Sequence, residues 1–149
     1  MEIKVLCFKA NEKNFEQLKT LFPDDYCERF RQFSDREIDI YAVQAEGQTV
    51  GRIVANYRNQ HLENETKPNV RACLSHFILL KAFRKRGLGG QLLDYAIKDL
   101  IVHGYKELTV GVEAENDIAK HLYFRNGFLE KINHGSMPCE YDLYLKRTE

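Results

Sequence analysis

Residues 70–112 constrain the fold more than any other stretch of the chain. Val70 to Leu80 carries few charges and reads as a strand covered on both faces. The run Arg84-Lys85-Arg86-Gly87-Leu88-Gly89-Gly90 follows and opens a long amphipathic helix. The apolar stripe of that helix is Leu88, Leu92, Leu93, Ala96, Ile97, Leu100 and Ile101. Gly104 ends it, and Leu108 to Val112 reads as the next strand. Strand, turn, helix and strand make a βαβ unit, whose two strands run parallel because the helix carries the chain back. A helix start after a glycine-rich turn also has chemistry. Its free amides and partial positive charge attract an anion, the glycines let the backbone come close, and three cations add to the field. The expected ligand is a phosphate or pyrophosphate. A P-loop would need GxxxxGK[ST], which is absent, and in a dinucleotide fingerprint Leu92 stands where the third glycine belongs. Taken alone, the stretch also fits a solvated basic helix start.

The flanks complete an α/β pattern. Residues 1–10 alternate, with Ile3, Val5 and Cys7 on one side and Glu2, Lys4 and Leu6 on the other, as in a strand. A helical spacing opens at Asn11 with Phe15, Leu18, Leu21 and Phe22, and Pro23 closes it. Asp25 to Phe33 reads as a second helical piece. Ile38 to Ala45 and Thr49 to Tyr57 flank Glu46-Gly47-Gln48 and read as a hairpin. Residues 58–69 are polar and read as a loop. Asp117 to Arg125 reads as a short helix ended by Asn126-Gly127, and Phe128 to Ile132 and Tyr141 to Leu145 as the last strands. The order β-α-α-β-β-β-α-β-α-β-β implies a mixed sheet. With 149 residues and no internal repeat or composition break, residues 1–149 are expected to form a single domain.

Charge and cysteines narrow the function classes. Lys plus Arg equals Asp plus Glu at 22 each, so there is no global attraction to nucleic acid or anionic membrane. The RKR cluster has no aromatic-interleaved basic surface beside it, which argues against nucleic acid as a partner. Cys7, Cys27, Cys73 and Cys139 lack metal or redox spacing and read as buried or half-buried thiols of a reducing compartment. His61, His103, His121 and His134 show no ligand spacing, so no metal is expected. The N-terminus has neither the apolar run nor the charge pattern of a signal peptide, and no stretch approaches a membrane span. A cytoplasmic protein is expected.

A second stretch sharpens the first. Leu108 to Asn116 is a strand and its exit, followed by Asp117-Ile-Ala-Lys-His-Leu-Tyr123-Phe-Arg-Asn-Gly127-Phe128. Together the two stretches resemble the GCN5-related N-acetyltransferases. That family carries R/Q-x-x-G-x-G/A, here Arg84, Gly87 and Gly89, and downstream N-x-x-A-x-x-L-Y-x-x-x-G-F, here Asn116, Ala119, Leu122, Tyr123, Gly127 and Phe128. The resemblance is strong over residues 72–130 and extends to the rest of the chain through element order.

The resemblance implies an α/β fold with a mixed central sheet, helices on both faces, and a parallel strand pair that splays to admit the pantetheine arm of acetyl-CoA. Backbone groups of Phe77, Ile78 and Leu79 would bind that arm. The amides of Lys85, Arg86, Gly87, Leu88, Gly89 and Gly90 would hold the pyrophosphate beside Arg84. Asn116 would bind the arm from the second strand, and Tyr123 would sit near the sulfur.

The chemistry follows from what acetyl transfer needs. The attacking amine must lose a proton, the oxyanion needs a donor such as a backbone N–H near Leu79, and the leaving thiolate needs a proton. Tyr123 is the expected general acid, because phenol and thiol reference pKa values are ~10 and ~8.5. For the base, the resemblance fails. The branch that acetylates protein N-termini has a Glu where this chain has Gly111. Glu113, two residues on and on the same strand face, is the first candidate base, and His76 the second. A water chain without a single base remains an alternative. Asp24-Asp25 reads as a helix start that also fits a lining of the acceptor mouth, attracting a cationic amine.

The leading expectation is therefore an acetyl-CoA-dependent N-acetyltransferase acting on a small-molecule or protein amine in a ternary complex, without a metal. The same residues leave open a non-catalytic acyl-CoA-binding module, and an acyltransferase with another acyl group or acceptor. The family resemblance also implies a possible homodimer through Tyr141 to Leu145. Residues 23–36, 58–69 and 133–140 would set the acceptor and carry no readable code.

Overall fold

The computed structural model describes residues 4–60, 64–132 and 141–148. His61, His134, Cys139 and the 133–140 loop lie outside them, as does the start of the first strand, Glu2 and Ile3. The described chain contains seven strands hydrogen-bonded in the order β1-β2-β3-β4-β5-β7-β6, with β4 and β5 parallel. The expected mixed α/β sheet is present. The chain divides into two compact units, residues 1–55 with 76–96 and residues 56–75 with 97–149. Strand β4 (Arg71–Leu79) and helix α2 (Leu88–Val102) each run through both.

In the first unit, β1 (Val5–Lys9) pairs antiparallel with β2 (Ile38–Ala45), Val5 opposite Ala45 and Lys9 opposite Tyr41. Glu46 and Gly47 take φ of 55° and 79°, the left-handed pair that a two-residue hairpin needs, and lead into β3 (Gln48–Asn56). The helical spacing after Asn11 is realised as a 3-10 helix, Phe15–Leu21. Its buried residues Phe15, Leu18 and Leu21 recur every three positions, the period of that helix. Asn11 Oδ1 accepts from the amides of Lys13 and Asn14 and opens the turn. Helix α1 (Tyr26–Ser34) buries no residue fully. Its Tyr26, Phe30 and Phe33 rings instead surround Phe15, at centroid distances of 5.6, 5.1 and 4.8 Å. Phe15, Leu18, Leu21 and Phe22 join Ile38, Ile40, Ala42 and Val54 in one core.

In the second unit, Arg71–Leu74 of β4 lies parallel to Glu107–Val110 of β5 (Glu107–Glu113). Strand β7 (Tyr141–Arg147) pairs antiparallel with all of β5 and with the two-residue β6 (Glu130–Lys131). The Arg71 and Glu107 side chains, nearly buried, meet at 3.0 Å, and Arg147 reaches both Glu107 and Glu130. That chain of charges runs across the four strands.

Four expectations are corrected. The strand expected over Phe128 to Ile132 shrinks to Glu130–Lys131, because the Phe128 amide is spent capping the preceding helix. Strand β4 is covered only over Arg71–Leu74; beyond it, His76 and Ile78 are exposed. Ile101, at the edge of the α2 stripe, is 41% exposed. Cys7 is half-buried and Cys73 buried as expected, but Cys27 is exposed on α1.

Candidate active site

The glycine-rich turn expected to hold the pyrophosphate belongs to the first unit. Past Leu80 the chain makes one 3-10 turn, Lys81–Phe83, and enters the basic run. Lys85 and Gly87 take φ of 65° and 79°. Left-handed residues of this kind are what an anion-binding nest of successive amides uses. A Cβ at Gly87 or Gly90 would meet no atom within 4 Å, so both backbones are open to a ligand. Gly89 has a different reason: a Cβ there would come within 3.2 Å of the Phe77 ring. Leu88 is 2% exposed and anchors the start of α2, leaving only its amide to offer. Of the three cations, Arg84 donates from Nε to the Leu79 carbonyl at 2.9 Å, tying the turn to the end of β4. Arg86 lies 5.6 Å from the centroid of the Phe83 ring.

The β4 segment expected to bind the arm starts where its ladder with β5 stops, after Leu74 and Val110. His76 then takes φ of 54°, a left-handed residue inside a strand. On its other side the segment is close to β3. A Cβ at Gly51 would lie 3.0 Å from the Ile78 carbonyl and 2.7 Å from Leu79 Cδ1. The Leu80 amide donates to the Val50 carbonyl.

His76 is a poor base in this setting. Arg29 Nη2 stands 2.8 Å from His76 Nε2, and a guanidinium only donates, so the imidazole nitrogen must accept and its proton sits on Nδ1. The lone pair a base would use faces a cation. Arg29 is held by Asp25 at 3.0 Å and by Gln32 at 2.9 Å. Asp25 starts α1 as expected, but without a side-chain cap bond; its carboxylate goes to Arg29. The Asp25 carboxylate is thus engaged by Arg29.

Asn116 and Tyr123 belong to the second unit, on α3 (Asp117–Arg125). Asn116 is the N-cap: its Oδ1 accepts from the Ala119 amide at 3.1 Å. The Asn-x-x-Ala spacing is therefore that of a cap, and only the Asn116 Nδ2 donors remain for a ligand. At the other end, the Phe128 amide donates to the Tyr123 carbonyl and the Gly127 amide to the Phe124 carbonyl. With Gly127 at φ 94° and the Tyr123 and Phe128 rings edge to face at 6.0 Å, this is a Schellman cap with its apolar contact.

Tyr123 is 6% exposed, and burial first, then the Cys73 sulfur, push its hydroxyl up to about 12. Cys73 is pushed to about 12 as well, chiefly by burial. Sequence reasoning missed this. A phenol raised that far is a weaker proton donor than its reference value implies. The hydroxyl suits a hydrogen bond to the departing sulfur better than early donation of its proton. Glu113 ends β5, exposed, on the face of Gly111; its carbonyl accepts from the Asn116 amide at 2.9 Å. A Cβ at Gly111 would meet nothing within 4 Å, so the position of the missing Glu is open. No group of three or more metal-ligating side chains occurs among the described residues, and none of their helices is long and apolar enough to cross a membrane.

A strand that leaves its parallel partner, a glycine-rich helix start and a capped helix carrying a buried tyrosine are the local features expected of the GCN5-related N-acetyltransferase fold. The model of the acetyltransferase (GNAT) family matches residues 6–128, and the chain belongs to that family. Among curated relatives, the N-alpha-acetyltransferase MAK3 of Arabidopsis thaliana is 30% identical over 83 residues, 56% of this chain and 40% of that protein. The alpha-tubulin N-acetyltransferase of Plasmodium knowlesi (strain H) is 32% identical over 68 residues, 44% of this chain and 37% of that protein. The matches thus span about two fifths of the relatives' length. Among solved structures, the PaiA N-acetyltransferase of Thermoplasma acidophilum in complex with coenzyme A superposes with a TM-score of 0.70. It shares 18% identity and covers 97% of this chain and 99% of that one, a likeness of fold.

Proposed function

We propose that the protein is an acetyl-CoA-dependent N-acetyltransferase, moving the acetyl group to a primary amine by direct attack. The observation that carries this is the entry into α2, where Gly87 before the helix and Gly90 in its first turn leave the backbone open. The amides of Lys85 to Gly90 hold the pyrophosphate. The backbone of Phe77 to Leu79, outside the β5 ladder, binds the pantetheine arm, and Asn116 adds a donor through Nδ2. A backbone N–H near Leu79 stabilises the oxyanion. Tyr123 holds the thiolate by a hydrogen bond as the carbon–sulfur bond breaks and releases its proton late. Glu113, an exposed carboxylate at the end of β5, takes the amine proton through water.

Melting temperatures with acetyl-CoA, coenzyme A and ATP in parallel test the reading. A ligand at about a hundred times its Kd stabilises a fold by about 2.7 kcal/mol. Acetyl-CoA and coenzyme A are expected to raise the melting temperature and ATP to leave it unchanged. A flat response to all three sinks the proposal.

A further inference from the structure

Two buried polar side chains of β3 are unused by the reading above. Arg52 and Asn56 stand four residues apart on one strand and so share a face. Asn56 is 1% exposed, and its Nδ2 donates to the Cys73 carbonyl at 3.1 Å and to Ser75 Oγ at 2.6 Å. Its Oδ1 is buried without a hydrogen-bond partner. The amide cannot be turned around, because the Cys73 carbonyl only accepts and the nitrogen must face it. An orphaned buried acceptor is destabilising. A leucine of similar size would avoid it, at the cost of withdrawing the donors from the Cys73 carbonyl and the Ser75 hydroxyl.

Arg52 is 9% exposed, lies 4.3 Å over the Phe22 ring, and donates to the carbonyls of Leu21 and His76. Side chains of β3 thus grip β4 at Cys73, Ser75 and His76. Those residues bracket the point where the β4–β5 ladder ends at Leu74 and the backbone turns left-handed at His76. A left-handed histidine persists only when its surroundings over-determine it.

We infer that Asn56, with Arg52, is a positioning residue for the acyl-CoA site: the pair holds β4 in its kink, keeping the backbone of Phe77 to Leu79 out of the β5 ladder and available to the pantetheine arm. The ligand rests on the function proposed above; the kink rests on the hydrogen bonds alone.

The test is Asn56→Leu, with Ser75→Ala as a milder variant should the first fail to fold. Calorimetric titration with coenzyme A is paired with the unliganded melting temperature and with amide hydrogen exchange across residues 75–79. The expected result is a Kd raised about tenfold in Asn56→Leu and about threefold in Ser75→Ala. With it, exchange at Phe77 to Leu79 slows as they join the ladder, whichever way the melting temperature moves. A residue that merely supported the fold would lower the melting temperature and leave Kd alone. Values of Kd within about twofold of the parent in both variants, with exchange unchanged, overturn the inference. If the parent itself does not bind coenzyme A, exchange alone decides: slowed amides uphold the kink assignment while the acyl-CoA reading falls, and unchanged amides end both.

Discussion

The Tyr123 hydroxyl stays protonated far above neutral pH because its surroundings solvate a tyrosinate poorly. Tyr123→Phe is expected to lower kcat much more than it raises the KM for acetyl-CoA, as steady-state rates with an amine panel would show; an unchanged kcat removes Tyr123 from the chemistry. With the hydroxyl near 12, its ionisation contributes no falling limb to the rate profile below about pH 11. Stability carries the same signature. A folded-state pKa raised from 10.0 to about 12 contributes stability that is whole below pH 10 and is lost as pH rises through about 12. Relative to Tyr123→Phe, the parent should lose about 2–3 kcal/mol across that window in urea melts. The motif made Tyr123 legible in the sequence. Its perturbed hydroxyl was not, since burial is a tertiary property. Neither was His76: nothing in Ser75-His76-Phe77 announces a left-handed residue, whose cause lies on β3.

Element by element, the local chemistry was legible wherever a segment meets its own needs. Asn116 caps α3 and Gly127 closes it, and both positions stand out in the sequence because the needs are local. Asn116→Ala should cost about 1 kcal/mol in denaturant melts. A larger fractional loss in coenzyme A affinity than in stability would mark Asn116 as a ligand as well as a cap. Gly127→Ala should cost more, since it strains a backbone at φ 94°. Gly51→Ala should destabilise by about 1–3 kcal/mol, because Leu79 Cδ1 and the Ile78 carbonyl leave no room and the latter is backbone. The 3-10 helix at Phe15 and the shortness of β6 were less legible. The first depends on a period of three rather than 3.6, and the second on an amide committed to a neighbouring cap.

At the scale of the whole molecule, the parallel pair followed from element succession, whereas the placement of β7 between β5 and β6 did not, and the division into two compact units has no mark in composition. Strand β4 and helix α2 each pass through both units. One cooperative urea transition is therefore expected, with far-ultraviolet dichroism and tyrosine fluorescence coinciding. Two separated transitions would give the units independent stability. The caps of α3 also bear on descent. The residues by which the lineage is recognised around Tyr123 serve first as the punctuation of a helix: one asparagine begins it, one glycine ends it, and a phenylalanine seals the end. A descendant that had given up acetyl transfer would still be held to most of that spelling by the demands of folding. The signature therefore certifies ancestry more strictly than it certifies an active enzyme, and a tally of catalysts built on it would count retired members with the working ones.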